Sequence, residues 1–100
     1  VRAMTKLEDD AALFLQNAEE LAGLPKRDVQ KEMFRLKREM NARYDFKVEG
    51  FEEDYEARLS TGDEDDDHAE FVVDLRGNET EINAFVVIDG DVVVNEVRDY

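Results

Sequence analysis

The apolar residues of this chain change their spacing near its middle, and this change restricts the possible folds more than any other feature. In the first part of the chain they recur at intervals of three and four positions, which places them on one face of a helix. Gly23 and Pro25 interrupt the pattern, because glycine commonly ends a helix and proline is favoured in the first turn of the next. The sequence therefore predicts a helical hairpin at 5–43, with helices at 5–22 and 26–43.

From residue 55 onwards the apolar residues alternate with polar ones or stand in short runs of Val, Ile and Phe, as they do in β-strands. The sequence at 89–91 predicts a tight hairpin turn, because Gly90 readily takes a positive φ angle. A second turn is predicted at 76–80. Together these features predict an α+β fold, in which the helical hairpin packs on one face of an antiparallel meander of about four strands at 44–100.

One hundred residues suffice for a single domain, 1–100, and 42% of them are hydrophobic, as in a folded protein. No apolar run is long enough for a membrane helix, and no signal-peptide pattern opens the sequence. The chain has no cysteine, which excludes disulfides and thiolate metal sites and predicts a cytoplasmic protein. Residues 1–3 precede Met4, and we interpret them as residues left over from cloning.

The net charge of −14 is distributed unevenly along the chain. Residues 24–47 contain four acidic and eight basic side chains, whereas residues 48–100 contain eighteen acidic and three basic ones. A field of this sign repels nucleic acid at long range and attracts basic proteins or cations. The charge distribution therefore predicts a basic protein partner and argues against direct binding of nucleic acid.

Nine acidic residues lie between residues 52 and 67, and five of them stand consecutively before the single histidine, His68. Closely spaced carboxylates imitate the phosphates of a duplex and dock on basic surfaces at high association rates. We therefore predict a non-enzymatic binding module, an inhibitor or DNA mimic, that blocks a basic protein surface such as a nucleic-acid-binding site. The predicted partner-binding residues are Glu52, Glu53, Asp54, Glu56, Asp63, Glu64, Asp65, Asp66 and Asp67.

The acidic run has other interpretations. Asp63, Asp65 and Asp67 match the first ligands of an EF-hand calcium loop. However, His68 stands at the glycine position and Asp74 at the position of the bidentate Glu, so we predict no metal site and no cofactor. The run also fits a solvated turn that protects a strand edge, or a halophilic protein whose acidity serves solubility alone. Catalysis is not expected, because adjacent carboxylates on one wet loop cannot hold separate pKa values.

The second helix offers an alternative function. Segment 18–40, with Gly23 in the turn and Val29 as an anchor, resembles the helix-turn-helix of winged-helix and repressor-type DNA-binding domains. The resemblance implies a DNA-binding regulator whose basic second helix enters the groove. It departs from the pattern at Glu19, where a small residue usually lets the helices cross. The residues of this alternative surface are Arg27, Lys31, Phe34, Arg35 and Arg38.

The last three predicted strands are apolar on both faces, which indicates that the second face of the sheet is also covered. A second copy of the chain is the simplest cover, so we predict a homodimer. Because phenylalanine is most useful against the helices, we assign to the core Phe71, Val73, Phe85 and Val87. The predicted dimer face consists of Val72, Val86, Ile88 and Val93. On this assignment Val86→Glu separates the dimer, whereas Phe85→Glu unfolds the chain.

Overall fold

The computed structural model describes residues 6–51, 54–62 and 66–100, and within them it shows three helices followed by one antiparallel sheet. The helices are α1 (Lys6–Gln16), α2 (Ala18–Ala22) and α3 (Lys26–Glu39). The strands are β1 (Asp45–Phe51), β2 (Asp54–Thr61), β3 (His68–Arg76), β4 (Glu79–Ile88) and β5 (Asp91–Asp99). The predicted α+β fold is confirmed, with five strands where about four were expected.

The first predicted helix is divided at Asn17. The backbone N–H of Asn17 donates to the carbonyl oxygen of Phe14 (3.1 Å), and its side-chain Nδ2 donates to that of Leu13 (2.8 Å). Asparagine side chains compete in this way with the hydrogen-bond ladder of a helix. The side-chain oxygen of Asn17 accepts a bond from Arg35 Nη2 (3.4 Å), which links the break to α3. Residue 5, the predicted helix start, lies outside the described residues.

The five strands are neighbours in sequence order, so the sheet is a meander. β4 and β5 are joined by Asp89 and Gly90, whose φ angles are +51° and +80°. Two positive φ angles are what a type I′ hairpin turn requires, and the turn predicted at 89–91 is confirmed. The additional strand is β1, where the alternating apolar signal consists only of Phe46 and Val48 on the core side.

All three helices pack on one face of the sheet. α1 lies against β3, β4 and β5, α2 against β4, and α3 against β2. The ring of Phe14 in α1 stacks on that of Phe71 in β3, with centroids 5.3 Å apart. Val29, Met33 and Leu36 of α3 are fully buried, and each such side chain contributes about 1.5–3 kcal/mol through the hydrophobic effect. The helical spacing of the apolar residues therefore identified the face that packs on the sheet.

A buried carboxylate connects α1 to the segment that follows α3. Asp10 is 1% exposed. Its oxygens accept hydrogen bonds from the backbone N–H groups of Asn41 (2.7 Å) and Ala42 (3.1 Å) and from the hydroxyl of Tyr44 (2.9 Å). We refer to these contacts as the Asp10 brace. These hydrogen bonds hold the segment that follows α3. The helix ends at Glu39, earlier than the predicted end at residue 43. Burial, with the bond to this carboxylate, raises the pKa of Tyr44 well above its ordinary value, so the hydroxyl stays a donor.

The assignment of side chains to the two faces is correct in β3 and wrong in β4. Phe71 and Val73 are fully buried beneath the helices, as predicted. In the sheet Phe71 pairs with Ala84 and Val73 pairs with Ile82. Directly paired residues share a face, so the even-numbered residues of β4 face the helices and the odd-numbered residues point away from them. The size of a phenylalanine did not decide its face, because the register did.

The predicted dimer face is consequently wrong as a set. Three of its four members lie on the helix side of the sheet: Val86, Ile88 and Val93. Val93 does so because a bulge between Val86 and Val87 adds one residue to β5. On the opposite face Val72 is accompanied by two residues that were predicted to face inward: Phe85 and Val87.

The corrected faces reverse the expected effects of two substitutions. Val86→Glu puts an unpaired charge into the core beneath the helices, and we expect it to lower the free energy of unfolding by about 4 kcal/mol. Phe85→Glu lies on the other face, where the carboxylate reaches water, and we expect a loss of about 1 kcal/mol. Urea denaturation followed by circular dichroism compares the two. A Phe85→Glu variant that is the less stable of the pair would show the face assignment to be wrong.

The Asp10 brace can be tested against its exposed neighbour. Asp10→Ala leaves two partly buried backbone N–H groups and the buried Tyr44 hydroxyl without their acceptor, so the free energy of unfolding should fall by about 3 kcal/mol. Asp9→Ala removes the same charge from an exposed position and should change it by less than about 0.5 kcal/mol. Tyr44→Phe removes one bond and should cost about 1 kcal/mol. Equal losses for the two aspartates in urea denaturation would refute the brace.

Candidate docking surface on the open face of the sheet

The face of the sheet opposite the helices is uncovered in the described part of the chain. We refer to it as the open face; it is formed by alternate residues of the five strands. Its side chains are mostly charged, whereas the helix-side positions are mostly apolar. This contrast is typical of an antiparallel sheet with one dry and one wet face. The packing of the helices therefore leaves the open face available to a partner.

Five carboxylates cross the open face in one row, with one from each strand. Direct cross-strand pairs join them in the order Glu49–Glu56–Asp74–Glu81–Asp99, and we refer to them as the acidic row. Neighbouring strands lie about 4.8 Å apart, so the row is about 19 Å long. Like charges directly opposite each other destabilise a sheet. The acidic row therefore opposes the stability of the fold.

Basic side chains neutralise only part of the acidic row. Arg58 contacts Glu56 on its own strand, and its Nε lies 3.7 Å from a carboxylate oxygen of Glu70. The hydrogen bond that Arg58 donates to Glu56 raises the pKa of Arg58 above its ordinary value. Arg76 Nε lies 3.4 Å from Asp74 Oδ2. Three members of the row form no ion pair with any residue that the structure describes: Glu49, Glu81 and Asp99.

A shallow depression marks the β4–β5 end of the acidic row. It is lined by Asp74, Arg76, Glu79, Thr80, Glu81, Asp99 and Tyr100. The backbone of Tyr100 exchanges two hydrogen bonds with that of Thr80 (2.8 and 3.2 Å), which extends the pairing of β4 and β5 to the edge of the depression. Thr80 is buried on the helix side, so this register assigns the Tyr100 side chain to that side and leaves the carboxylates to form the open-face part of the depression. Closely spaced carboxylates are suited to a Lys or Arg side chain of a partner.

The opposite end of the open face, next to Asp67 and the turn at 89–90, is apolar. Val87 pairs with Val92, which is 55% exposed, and the rings of His68 and Phe85 have centroids 6.1 Å apart. Val97, which is 56% exposed, continues this surface toward the acidic row. Apolar side chains next to charged ones are typical of protein-binding surfaces.

The structure divides the acidic surface predicted from the sequence. Five of its residues lie outside the described part of the chain: Glu52, Glu53, Asp63, Glu64 and Asp65. Asp54 and Glu56 lie at the start of β2, whereas Asp66 and Asp67 follow its far end. β2 has eight residues, which separates the two pairs by about 23 Å. Proximity in sequence therefore did not produce one surface, and of the acidic row only Glu56 was predicted.

The described part of the acidic run, Asp66 and Asp67, directly precedes β3. Asp67 Oδ1 accepts a hydrogen bond from the backbone N–H of Asp89 (2.8 Å), which joins this segment to the turn between β4 and β5. Gly62 has a φ of +83°, and a Cβ there would collide with the carbonyl oxygen of Asp67. Nδ1 of His68 lies 2.9 Å from the carbonyl oxygen of Asp66. Within the described ranges no group of three His, Cys, Asp or Glu residues could hold a metal ion.

On the other side of the molecule, four residues form an exposed line along α3. We refer to them as the basic stripe: Arg27, Lys31, Phe34 and Arg38. Its three bases form no ion pair with any described residue. Phe34 is 50% exposed, and its ring centroid lies 4.6 Å from that of Phe46 on β1. Arg35, predicted as part of the same surface, donates instead to Glu32 and Glu39 of its own helix, and the hydrogen bond to Glu32 raises the pKa of Arg35.

Comparison with protein-family models, with curated proteins and with solved structures finds no match for this chain. In the ranges that the structure describes, no helix has the length and apolar character needed to cross a membrane. The function must therefore be inferred from the open face and the basic stripe themselves.

Neutralising one member of the acidic row should stabilise the fold. Glu81 lies opposite Asp74 on one side and Asp99 on the other, so Glu81→Gln relieves two repulsions. We expect the free energy of unfolding to rise by about 0.5 kcal/mol at low salt and the gain to disappear at molar salt. Thermal unfolding at both salt concentrations measures the effect. Glu19→Gln, on the exposed side of α2, should give no gain, and a loss of stability in Glu81→Gln would show that the row is not repulsive.

Proposed function

We propose that this protein is a non-enzymatic binding module whose open face docks on a basic surface of a protein partner and blocks it. The acidic row is the observation that supports this proposal most strongly, because the sheet would be more stable without it. Side chains that oppose the stability of a fold are typical of functional sites. The partner class is the one expected from the charge of the sequence, but the docking surface moves from the 52–67 run to the open face.

The two ends of the open face suit the two stages of such an association. Negative charge steers a basic partner and raises the association rate, whereas buried apolar contacts slow its dissociation. The depression at the β4–β5 end of the acidic row offers carboxylates to a Lys or Arg side chain, and the apolar end offers Val92 and Val97. A surface that normally binds nucleic acid is basic in this way, so the acidic row would act there as a DNA mimic.

Three related proposals concern catalysis, cofactors and cellular location. We expect the protein to act without catalysis and without a cofactor, because the carboxylates of the open face are exposed to water and share one environment. We also expect a cytoplasmic location, since a chain without cysteine gains nothing from an oxidising compartment.

Two variants with the same net charge test the docking surface. Glu49→Gln/Glu81→Gln removes two carboxylates from the acidic row, and Asp66→Asn/Asp89→Asn removes two from the turns at the far end of the sheet. Wild type and both variants are immobilised and used to capture proteins from an extract of the native host. We expect a basic protein that binds the wild type and the turn variant about equally and binds the row variant at least tenfold more weakly.

The captured protein is then purified and titrated in the presence of duplex DNA. Competition by the duplex would identify the blocked surface as a nucleic-acid-binding site. Equal binding by the row and turn variants would exclude the acidic row as the docking surface. If no basic partner is captured and the fold gains stability up to molar salt, the halophilic interpretation is the better one.

The basic stripe supports a second candidate, the helix-turn-helix regulator. Gly23 follows α2 and Val29 is fully buried, as that motif requires. However, α2 has only five residues, and both α2 and α3 lie against the sheet. A regulator of this kind would bind duplex DNA with an affinity that falls steeply with salt, and Lys31→Glu/Arg38→Glu would abolish the complex. Such a result would replace the first proposal.

A further inference from the structure

The basic stripe and the open face are both unpartnered within the described chain, and each offers what the other lacks. The stripe presents three cations around a half-exposed phenylalanine, Phe34. The open face presents three carboxylates without ion pairs, next to the exposed Val97. We propose that the basic stripe of one molecule docks on the open face of a second copy of this chain. The inference uses the same open face as the proposed function and adds a second surface and a defined partner.

The two surfaces match in length. Arg27 and Arg38 are eleven positions apart on α3, which corresponds to about 17 Å along a helix. The acidic row spans about 19 Å across the five strands. A helix lying along the row therefore brings its three cations over the carboxylates of Glu49, Glu81 and Asp99. Each cation lies within the length of a side chain of the carboxylate that it faces.

Phe34 also has a matching contact. It lies between Lys31 and Arg38 on the stripe, and about half of its surface is exposed. On the open face, the pairs one step along the strands from the acidic row include Val72 and Val97, about 6.7 Å away from it. When Arg27 lies over Asp99 of β5, Phe34 lies about 10 Å further along the helix, over β3 and next to Val72, which is 7% exposed. The exposed Val97 on β5 then lies beside Arg27. An aromatic anchor among charged contacts is the usual composition of an interaction hot spot.

The charge of the open face argues against the symmetric dimer expected from the sequence. Its described residues include nine carboxylates and three basic side chains. A twofold contact pairs a surface with its own copy, so it would bring two acidic faces together. The basic stripe and the open face lie on opposite sides of the molecule. When the stripe of one molecule docks on the open face of a second, the first molecule keeps a free open face and the second keeps a free stripe. The association is therefore head-to-tail and can continue beyond two molecules.

We expect the association to be weak. One helical stripe buries less than the roughly 800 Å² per partner of a stable interface, and the net charge of −14 adds a mutual repulsion. At physiological salt the Debye length is about 8 Å, so distant charges are screened while charges in contact still interact. Self-association should consequently appear at protein concentrations of tens of micromolar and above, and a basic partner would displace the second copy from the open face.

Sedimentation velocity over a concentration series at physiological salt tests the proposal with matched pairs of variants. Lys31→Glu/Arg38→Glu reverses the stripe, and Lys6→Glu/Arg43→Glu makes the same change of net charge at exposed positions elsewhere. Glu81→Lys/Asp99→Lys reverses the open face, and Glu19→Lys/Glu20→Lys is its control. We expect the wild type and both controls to gain mass with concentration, and the stripe and face variants to associate at least tenfold more weakly. Circular dichroism and thermal unfolding confirm that each variant is folded.

The two impaired variants should restore the contact when they are mixed. The reversed stripe of one is complementary to the reversed face of the other, so an equimolar mixture should form a heterodimer that neither variant forms alone. This readout separates loss of the contact from any general effect of net charge. A mixture that stays monomeric, or a stripe variant that associates as strongly as the wild type, would overturn the proposal.

A wild type that is monomeric up to about millimolar concentration would also overturn it. That outcome leaves the proposed function intact, because a basic partner can still bind the acidic row of a monomer. Conversely, a stripe variant that captures the basic partner normally but no longer self-associates would support both. Binding of duplex DNA by the wild type and its loss in the stripe variant would assign the stripe to nucleic acid and refute the second copy as its occupant.

Discussion

The buried carboxylate of Asp10 determines how the helices lie on the sheet. It accepts hydrogen bonds from the segment between α3 and β1 and so joins α1, over β3 to β5, to α3, over β2. A buried carboxylate is expensive unless its oxygens are bonded, which makes this arrangement of the helices specific. Because the helices are tied together on one side, the opposite side of the sheet remains open. The position of the candidate docking surface therefore follows from a contact on the other side of the molecule.

Much of the architecture could be predicted from the sequence, because it depends on local spacing. The helical period located both halves of the hairpin, and the turn at 89–91 was recognised from Gly90 alone. The faces of β4 required one further step. Gly77 and Asn78 form a two-residue turn in which Arg76 pairs with Glu79, and that register places Ala84 opposite Phe71. The faces of β4 therefore depend on this turn and not on the size of Phe85.

The Asp10 brace and the acidic row show two different reasons why a site cannot be predicted from the sequence. Asp10 follows Leu7 by three residues and precedes Phe14 by four, so an acidic residue stands on the apolar face of α1, which is a detectable signal. Its partners could not be deduced, because they lie about thirty residues further along the chain. The acidic row carries no local signal, since each strand contributes a single member. Its existence depends on four strand registers at once, and no one of them can be deduced from the strand sequences alone.

The location of the charges bears on whether the acidity serves only to keep the protein dissolved. Acidity for solubility alone needs no particular arrangement and is best spread over loops and helix surfaces, where repulsion is weakest. Here five carboxylates lie directly opposite one another across a sheet, where repulsion is strong. At the same time, three bases on α3 lie away from the carboxylates that could neutralise them, in a chain with 27 acidic residues. Separation of charge into two faces of one small domain is what two docking surfaces require.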